Sequence, residues 1–178
     1  MTDVTAAHLT IRRACPDDAI AFARIMGEAP VMRHLLGLPY PDADIWRARL
    51  SAPGNPNQYD LRLVGEIDNE VVATAGLMPA HPGVRQRHVG TFGLSVATAA
   101  QGKGVGSAML KALFDYADNW AQLLRLELMV AADNEPAISL YKKLGFVLEG
   151  KHQAAIFTDG EYVDLLSMAR IRRGRVER

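Results

Sequence analysis

A glycine-rich turn between an apolar strand pattern and an amphipathic helix pattern constrains this chain more than any other feature. The turn spans Gln101–Gly106, reads QGKGVG, follows the apolar run Phe92–Val96 and opens a helical pattern over Val105–Trp120. Glycines allow a ligand to approach the backbone closely, and the first N–H groups of a helix have no partner within it. A strand, a glycine turn and a helix start, in this order, predict a phosphate-binding loop. A helix entrance that is merely rich in glycine is the alternative.

The glycine spacing excludes two common nucleotide loops. No Lys-Ser or Lys-Thr pair follows a Gly-x-x-x-x-Gly frame, so the turn is not a Walker A loop. A dinucleotide fingerprint needs a third glycine where this chain has Ser107 or Met109. The turn reads Gln-x-x-Gly-x-Gly instead.

That pattern resembles the acyl-CoA pyrophosphate loop of the GNAT family of N-acetyltransferases. A second segment, from Asn134 to Phe146, is similar to the family's Asn-x-x-Ala-x-x-x-Tyr-x-x-x-Gly-Phe motif. The resemblance covers roughly Leu61 to Arg170. It implies an α/β, single-domain GNAT fold, with a central twisted mixed sheet that is flanked by helices and splayed between the fourth and fifth strands. It also implies acetyl-CoA as acyl-donor co-substrate, and no metal.

Charge and cysteine content narrow the class of partner. The 178 residues carry 20 Lys and Arg against 20 Asp and Glu, which argues against nucleic acid or an anionic membrane as partner. The single cysteine, Cys15, excludes an intrachain disulfide and a cysteine-rich metal site. Met1–His8 has no signal-peptide pattern and no apolar run approaches about 18 residues, so we expect a cytoplasmic protein.

Periodicity and turn chemistry predict one domain, residues 9–171, with a disordered N-terminus (1–8) and a basic C-terminal tail (172–178). The arginines of the tail predict a solvated segment, with a homodimer contact as the second interpretation. The predicted elements are a strand at Leu9–Arg13, helices at Ala19–Met26 and Asp42–Leu50, an apolar irregular segment at Gly27–Pro41, a surface loop at Pro53–Pro56, strands at Leu61–Ile67, Val71–Met78, Val89–Val96 and Arg125–Val130, helices at Val105–Trp120 and from Asn134 to Gly145, and a hairpin of Phe146–Ile156 with Tyr162–Ile171.

The resemblance assigns the acetyl-CoA contacts to three places. The pyrophosphate would lie on backbone N–H groups of the glycine turn, and the pantetheine arm on backbone groups of the fourth strand, with the N–H near Leu94 polarising the thioester carbonyl. Asn134 would both cap its helix and contact the arm. The assigned residues are Leu94, Ser95, Val96, Gln101, Gly102, Lys103, Gly104, Val105, Gly106 and Asn134.

Tyr141 is the predicted catalytic acid. A phenol with a pKa of about 10 is protonated at neutral pH and can donate to the departing thiolate. Tyr141 follows Asn134 by two helical turns, so both lie on one helix face. The alternative is a buried stripe of Ile138, Tyr141 and Leu144. No general base is assigned: Glu66 and Glu127 are candidates that fit a solvated or salt-bridged strand residue equally well, and the third candidate, His88, fits a structural histidine better than a base.

The residues that match the family's acceptor pocket are apolar or aromatic: Met32, Leu36, Leu38, Tyr40, Phe157 and Tyr162. They predict that the acetyl acceptor is a small-molecule amine, namely the α-amine of a free amino acid with an apolar or aromatic side chain. Leu38–Pro41, Trp46 and Gly160–Asp164 look like the bacterial free amino-acid branch. A protein N-terminal or ribosomal-protein acetyltransferase, and a non-catalytic CoA-binding regulatory module, are the alternatives.

Overall fold

The computed structural model describes residues 8–52 and 59–172. The predicted surface loop at Pro53–Pro56, the N-terminal segment apart from His8 and the basic tail beyond Arg172 lie outside the described residues. The helices are α1 (Ala19–Gly27), α2 (Ala29–Met32), α3 (Ala43–Ser51), α4 (Val105–Asn119) and α5 (Glu135–Lys143). The strands are β1 (Thr10–Arg13), β2 (Leu61–Ile67), β3 (Glu70–Pro79), β4 (Val89–Val96), β5 (Arg125–Ala131), β6 (Val147–Thr158) and β7 (Glu161–Ile171).

The strands hydrogen-bond in the order β1-β2-β3-β4-β5-β7-β6, which gives a seven-stranded mixed sheet. The predicted α/β class with a mixed central sheet is therefore confirmed. The chain divides into two compact units. The first contains the described residues up to Leu77 together with Gly93–Phe114, and the second contains Met78–Phe92 together with the described residues from Asp115 onward.

In the first unit β1, β2 and β3 pair in antiparallel fashion. A β-carbon at Gly65 on β2 would lie 2.8 Å from the sulfur of Met109 on α4, so a larger residue here would displace the Met109 side chain. Arg12 joins β1 to the α1 entrance, because its guanidinium donates to both oxygens of Asp18 at 2.8 Å and to Glu66 at 2.6 Å. Trp46 of α3 packs on Phe22 of α1, with ring centroids 4.8 Å apart.

The second unit contains a parallel strand pairing. Val89–Thr91 of β4 pair with Arg125–Glu127 of β5, and β5 then pairs along its length with the antiparallel strand β7. Only three pairs join β4 to β5, which fits the predicted splay. The β6–β7 hairpin closes through Asp159 and Gly160, both with positive φ.

One expectation about the core is wrong. The helical spacing predicts a buried stripe that ends with Trp120, but the stripe ends at Ala117 and Trp120 is 75% exposed. α4 stops at Asn119, and the chain then turns through Gln122, whose φ is positive. Trp120 therefore follows the last helical turn and no longer lies on the helix face that packs inward.

Candidate functional site

The glycine turn has the backbone geometry of a ligand cradle. Gly102 and Gly104 adopt φ values of 72° and 80°, a region that side chains with a β-carbon rarely occupy, and α4 begins immediately afterwards at Val105. A β-carbon at Gly102 would meet no atom within 4 Å, so this glycine faces open space. The side-chain amide of Gln101 donates to the carbonyl of Val96 at 2.9 Å, which ties the turn to the end of β4.

This geometry fits an anionic diphosphate. The first N–H groups of α4 have no acceptor within the helix and carry the positive end of its dipole. Lys103 is exposed beside them and adds a positive charge. On β4, the three residues that the resemblance assigns to the pantetheine arm differ in burial: Ser95 is buried, whereas Leu94 and Val96 are half-buried.

A cavity of about 600 Å³ borders the glycine turn within the first unit. The end of α1, the β2–β3 turn, residues 97–100 and Lys103 line it, and Glu28 is among the lining residues. The carboxylate of Glu28 accepts a hydrogen bond from the backbone N–H of Thr98 at 2.7 Å. The segment that leads into the glycine turn is thus attached to the helix that precedes the predicted acceptor-binding segment.

Tyr141 lies in an aromatic cluster of the second unit. Its ring meets Phe92 edge-on at 5.7 Å and Phe146 at 5.9 Å between ring centroids. Burial raises the pKa of Tyr141 to about 12, so the hydroxyl is protonated at neutral pH. Ile138, Tyr141 and Leu144, the residues of the alternative stripe, are each half-buried.

Asn134 is the N-cap of α5. Its side-chain oxygen accepts a hydrogen bond from the N–H of Ala137 at 3.3 Å. Glu135 and Pro136 in the first turn and Lys142 and Lys143 in the last turn complete the predicted end signals. The capping half of the dual role predicted for Asn134 is confirmed, and the contact with a CoA arm stays a prediction.

Two of the three candidate bases have structural partners. Glu66 accepts from Arg12, in the same network as Asp18. Glu127 lies between Arg125, whose Nε donates at 2.7 Å, and His81, whose Nε2 is 3.0 Å away. The carbonyl of His88 accepts from the N–H groups of Leu124 and Arg125, which fixes its backbone. No sequence pattern singled out His81, and its pairing with Glu127 is a finding of the structure.

The predicted acceptor-binding residues fall into two groups, one in each unit. In the first unit Met32 ends α2 and is half-buried, and Leu36, Leu38 and Tyr40 are exposed, Tyr40 by 95%. In the second unit Phe157 and Tyr162 are cross-strand partners near the tip of the β6–β7 hairpin. Their ring centroids are 5.0 Å apart, and both side chains are largely exposed. Each group therefore presents apolar surface to solvent.

Residues 8–52 and 59–172 contain no group of three or more His, Cys, Asp or Glu side chains that is arranged to hold a metal ion. No helix among them is long and apolar enough to cross a membrane.

Comparisons with known proteins agree with the two motifs. The model of the acetyltransferase (GNAT) family matches residues 30–146. The chain is 35% identical to the L-amino acid N-acetyltransferase AaaT of Escherichia coli (strain K12), over 93% of this chain and 99% of that protein. It is 31% identical to the spermidine N(1)-acetyltransferase of the same organism, over 79% of this chain and 73% of that protein.

The fold has solved counterparts. A putative acetyltransferase from Salmonella typhimurium, solved with its cofactor acetyl-CoA, superposes with a TM-score of 0.84 at 23% identity and covers 95% of this chain and 96% of its own. At that identity the likeness concerns the fold. The family match and the relatives together show that this chain is an acyltransferase that belongs to the GNAT family of N-acetyltransferases.

Proposed function

We propose that this enzyme transfers the acetyl group of acetyl-CoA to the α-amine of a free amino acid with an apolar or aromatic side chain. The observation that carries the proposal is the cradle at Gly102 and Gly104, with open space in front of Gly102 and a helix N-terminus behind it. That arrangement suits the diphosphate of CoA. The 35% identity to an L-amino acid N-acetyltransferase, over 93% of this chain, supports the acceptor class.

Each part of the reaction has a candidate group. Acetyl-CoA supplies an activated acyl group. Backbone N–H groups of Gln101–Gly106 bind its diphosphate, and backbone groups of Leu94, Ser95 and Val96 bind its pantetheine arm. The N–H near Leu94 donates to the oxygen on which negative charge develops, an interaction worth about 3 kcal/mol. The hydroxyl of Tyr141 gives its proton to the departing sulfur.

The acceptor class follows from the chemistry of the predicted lining. Met32, Leu36 and Leu38 offer aliphatic surface, and Tyr40, Phe157 and Tyr162 offer aromatic surface. Apolar surface of this kind discriminates between aliphatic side chains by only about 1–3 kcal/mol, so we expect graded acceptance of several apolar amino acids. Glycine should be a poor acceptor, and the acidic amino acids should fail because none of these six side chains carries a cation.

The test is a panel of single amines. The enzyme is incubated with acetyl-CoA and one acceptor at a time, and the free thiol of CoA is followed with a thiol reagent against a control without amine. Methionine and phenylalanine should release thiol well above the control. Thiol release with none of the amines, in a protein that still binds acetyl-CoA, would favour a non-catalytic CoA-binding module.

Two further arms distinguish the alternatives. Spermidine belongs in the panel, because a spermidine N(1)-acetyltransferase is among the relatives. A peptide that begins with alanine represents the protein N-terminal and ribosomal-protein alternative. Preference for either over free methionine and phenylalanine would replace the proposed acceptor. Cytoplasmic location and a homodimer stay predictions.

A further inference from the structure

A histidine and a glutamate are paired on the second unit, away from Tyr141. Nε2 of His81 lies 3.0 Å from Oε1 of Glu127, and the second oxygen of Glu127 accepts from Nε of Arg125 at 2.7 Å. Arg125 in turn donates to Glu149 at 2.8 Å. The carboxylate of Glu127 is therefore held between an imidazole and a guanidinium that is itself fixed.

The sheet determines the face on which this pair lies. Glu127 is the ladder partner of Thr91, and Leu126 is the partner of Gly90. Because side chains alternate along a strand, Glu127 leaves the sheet on one face, whereas Leu126 and Phe92 leave on the other. Leu126 is buried and Glu127 is 26% exposed, as this alternation requires.

Tyr141 contacts the opposite face. Its ring packs edge-on against Phe92, which directly follows Thr91, the last paired residue of β4, and points away from Glu127. The proton donor and the His81–Glu127 pair therefore flank the same short stretch of β4 from its two sides. A group that removes a proton from the incoming amine and a group that protonates the leaving sulfur act on different substituents of the reacting carbon, so placement on two sides suits the two roles.

His81 has the chemistry of a base in this position. Neutral imidazole donates through one nitrogen and accepts through the other, and a carboxylate next to Nε2 favours the tautomer that carries its proton there. Nδ1 then has the free electron pair. His81 is 39% exposed, so an acceptor or a single bridging water can reach it. The carboxylate behind the ring also stabilises the imidazolium that forms on proton transfer.

We propose that His81 is the general base of the acetyl transfer and that Glu127 is its positioning residue, an inference that rests on the proposed function. The acceptor ammonium gives one proton to Nδ1 of His81, and the amine electron pair forms the new N–C bond. The C–S bond breaks, and its electron pair stays on sulfur, which takes the proton of Tyr141. The nitrogen releases its second proton, which restores Tyr141 through solvent, and His81 returns its own to solvent. One proton is released per acetyl group transferred.

The decisive variant is His81→Gln. The side-chain amide of Gln can still donate to Glu127, but it cannot act as a base. At pH 7, kcat/KM for the amine should fall by about 10²–10⁴-fold. The defect should narrow as the pH rises above the pKa of the acceptor amine, because that amine no longer needs a base. Tyr141 stays protonated in this range. The charged groups connected to His81 are Glu127, which contacts it directly, Arg125, which donates to Glu127, and Glu149, which accepts from Arg125.

His152→Gln is the matched control, because His152 is an exposed histidine on β6 that plays no part in the proposed site. Glu127→Gln should lower kcat/KM less than His81→Gln does. An active enzyme in which His81→Gln has no effect, or has a defect of equal size at every pH, would overturn the base assignment alone. A wild-type enzyme that acetylates no amine would overturn the proposed function as well.

A second readout does not depend on turnover. Long-range ¹H–¹⁵N correlation spectra of the protein without acetyl-CoA report which imidazole nitrogen carries the proton. The neutral ring of His81 should carry it almost wholly on Nε2, and Glu127→Ala should lower that fraction toward the ratio of a free histidine side chain, in which Nε2 is already favoured. A neutral ring protonated on Nδ1 would contradict the proposal, because Nδ1 could not then accept a proton.

Discussion

Glu28 and Thr98 are 70 residues apart in the chain, and a hydrogen bond of 2.7 Å from the Thr98 N–H to the Glu28 carboxylate joins them. Glu28 ends α1 and precedes α2, whereas Thr98 opens the short turn that leads into the glycine cradle. The carboxylate accepts from the backbone, so it positions the peptide chain itself and not another side chain. A substitution at the end of α1 should therefore alter the backbone position of the cradle.

Glu28→Ala should raise the KM for acetyl-CoA by about 5-fold with little change in kcat, since it removes one hydrogen bond worth about 1 kcal/mol. Glu28→Gln should retain most of the affinity, because an amide oxygen also accepts from N–H. Steady-state kinetics at saturating acceptor measures both. Glu70→Ala is the control: Glu70 lines the same cavity but pairs with Arg24. Equal KM values in Glu28→Ala and wild type would show that the contact does not position the cradle.

Gly102→Ala should weaken acetyl-CoA binding. The added β-carbon points into the open space where the diphosphate is expected, and the positive φ adds strain. Gly160→Ala in the β6–β7 turn introduces the same strain, because Gly160 has a φ of 81° and also faces open space. Calorimetric titration with acetyl-CoA should give a higher Kd for Gly102→Ala alone. Equal Kd values for the two variants would mean that the Gly102 cradle does not contact the ligand.

Tyr141→Phe should keep acetyl-CoA affinity and lower kcat by about 10²–10⁴-fold, because the ring contacts with Phe92 and Phe146 remain and only the proton donor is lost. The rate of acetyl transfer should be measured in the presteady state, so that the chemical step and not product release is compared. With its pKa near 12, Tyr141 should produce no alkaline decline in kcat below pH 10. A loss of less than a few-fold would assign Tyr141 to packing.

Asp18→Asn should lower the free energy of unfolding by about 1–3 kcal/mol at pH 7, since it breaks a charged pair with Arg12 at a buried carboxylate. The hydrogen bonds from Arg12 lower the pKa of Asp18 below its usual value. The unfolded chain therefore binds the proton first, and the contribution is present above about pH 4 and disappears as the pH falls through the folded pKa. Urea titrations at pH 7 and pH 3 measure this.

The exposed pair of Asp44 and Arg47 supplies the comparison for that variant. Asp44→Asn should change stability by no more than about 0.5 kcal/mol at either pH, because both side chains are solvated. A difference between Asp18→Asn and wild type that persists unchanged at pH 3 would contradict the assignment of the effect to the ionised carboxylate.

The sequence predicts those parts of the fold that depend on local chemistry. Asn134 and Gly145 mark the ends of α5, and Asp68 and Asn69 adopt the positive φ values of a tight hairpin between β2 and β3. These signals act over a few residues. The glycine cradle is also local, because its function depends on the φ values of Gly102 and Gly104.

Side-chain partnerships between distant residues carry no such signal. His81 follows the end of β3, whereas Glu127 lies in β5. Pairing of β4 with β5 brings Glu127 beside Thr91, near the start of β4. Trp120 fits the helical period but lies beyond the end of α4, and the period alone does not reveal where a helix stops. The proposed acceptor specificity involves exposed residues such as Tyr40. No pattern in the sequence specifies what such residues contact in a complex.

The most direct test of the account is a competition between acceptors in one reaction. Equal concentrations of methionine, phenylalanine, glycine, glutamate, spermidine and an alanine-initiated peptide are incubated with acetyl-CoA and a limiting amount of enzyme, and mass spectrometry quantifies every acetylated product early in the reaction. The account predicts that N-acetylmethionine and N-acetylphenylalanine dominate, with little acetylglycine and no acetylglutamate. Acetylspermidine or acetylated peptide as the main product, with free methionine and phenylalanine unmodified, would contradict it.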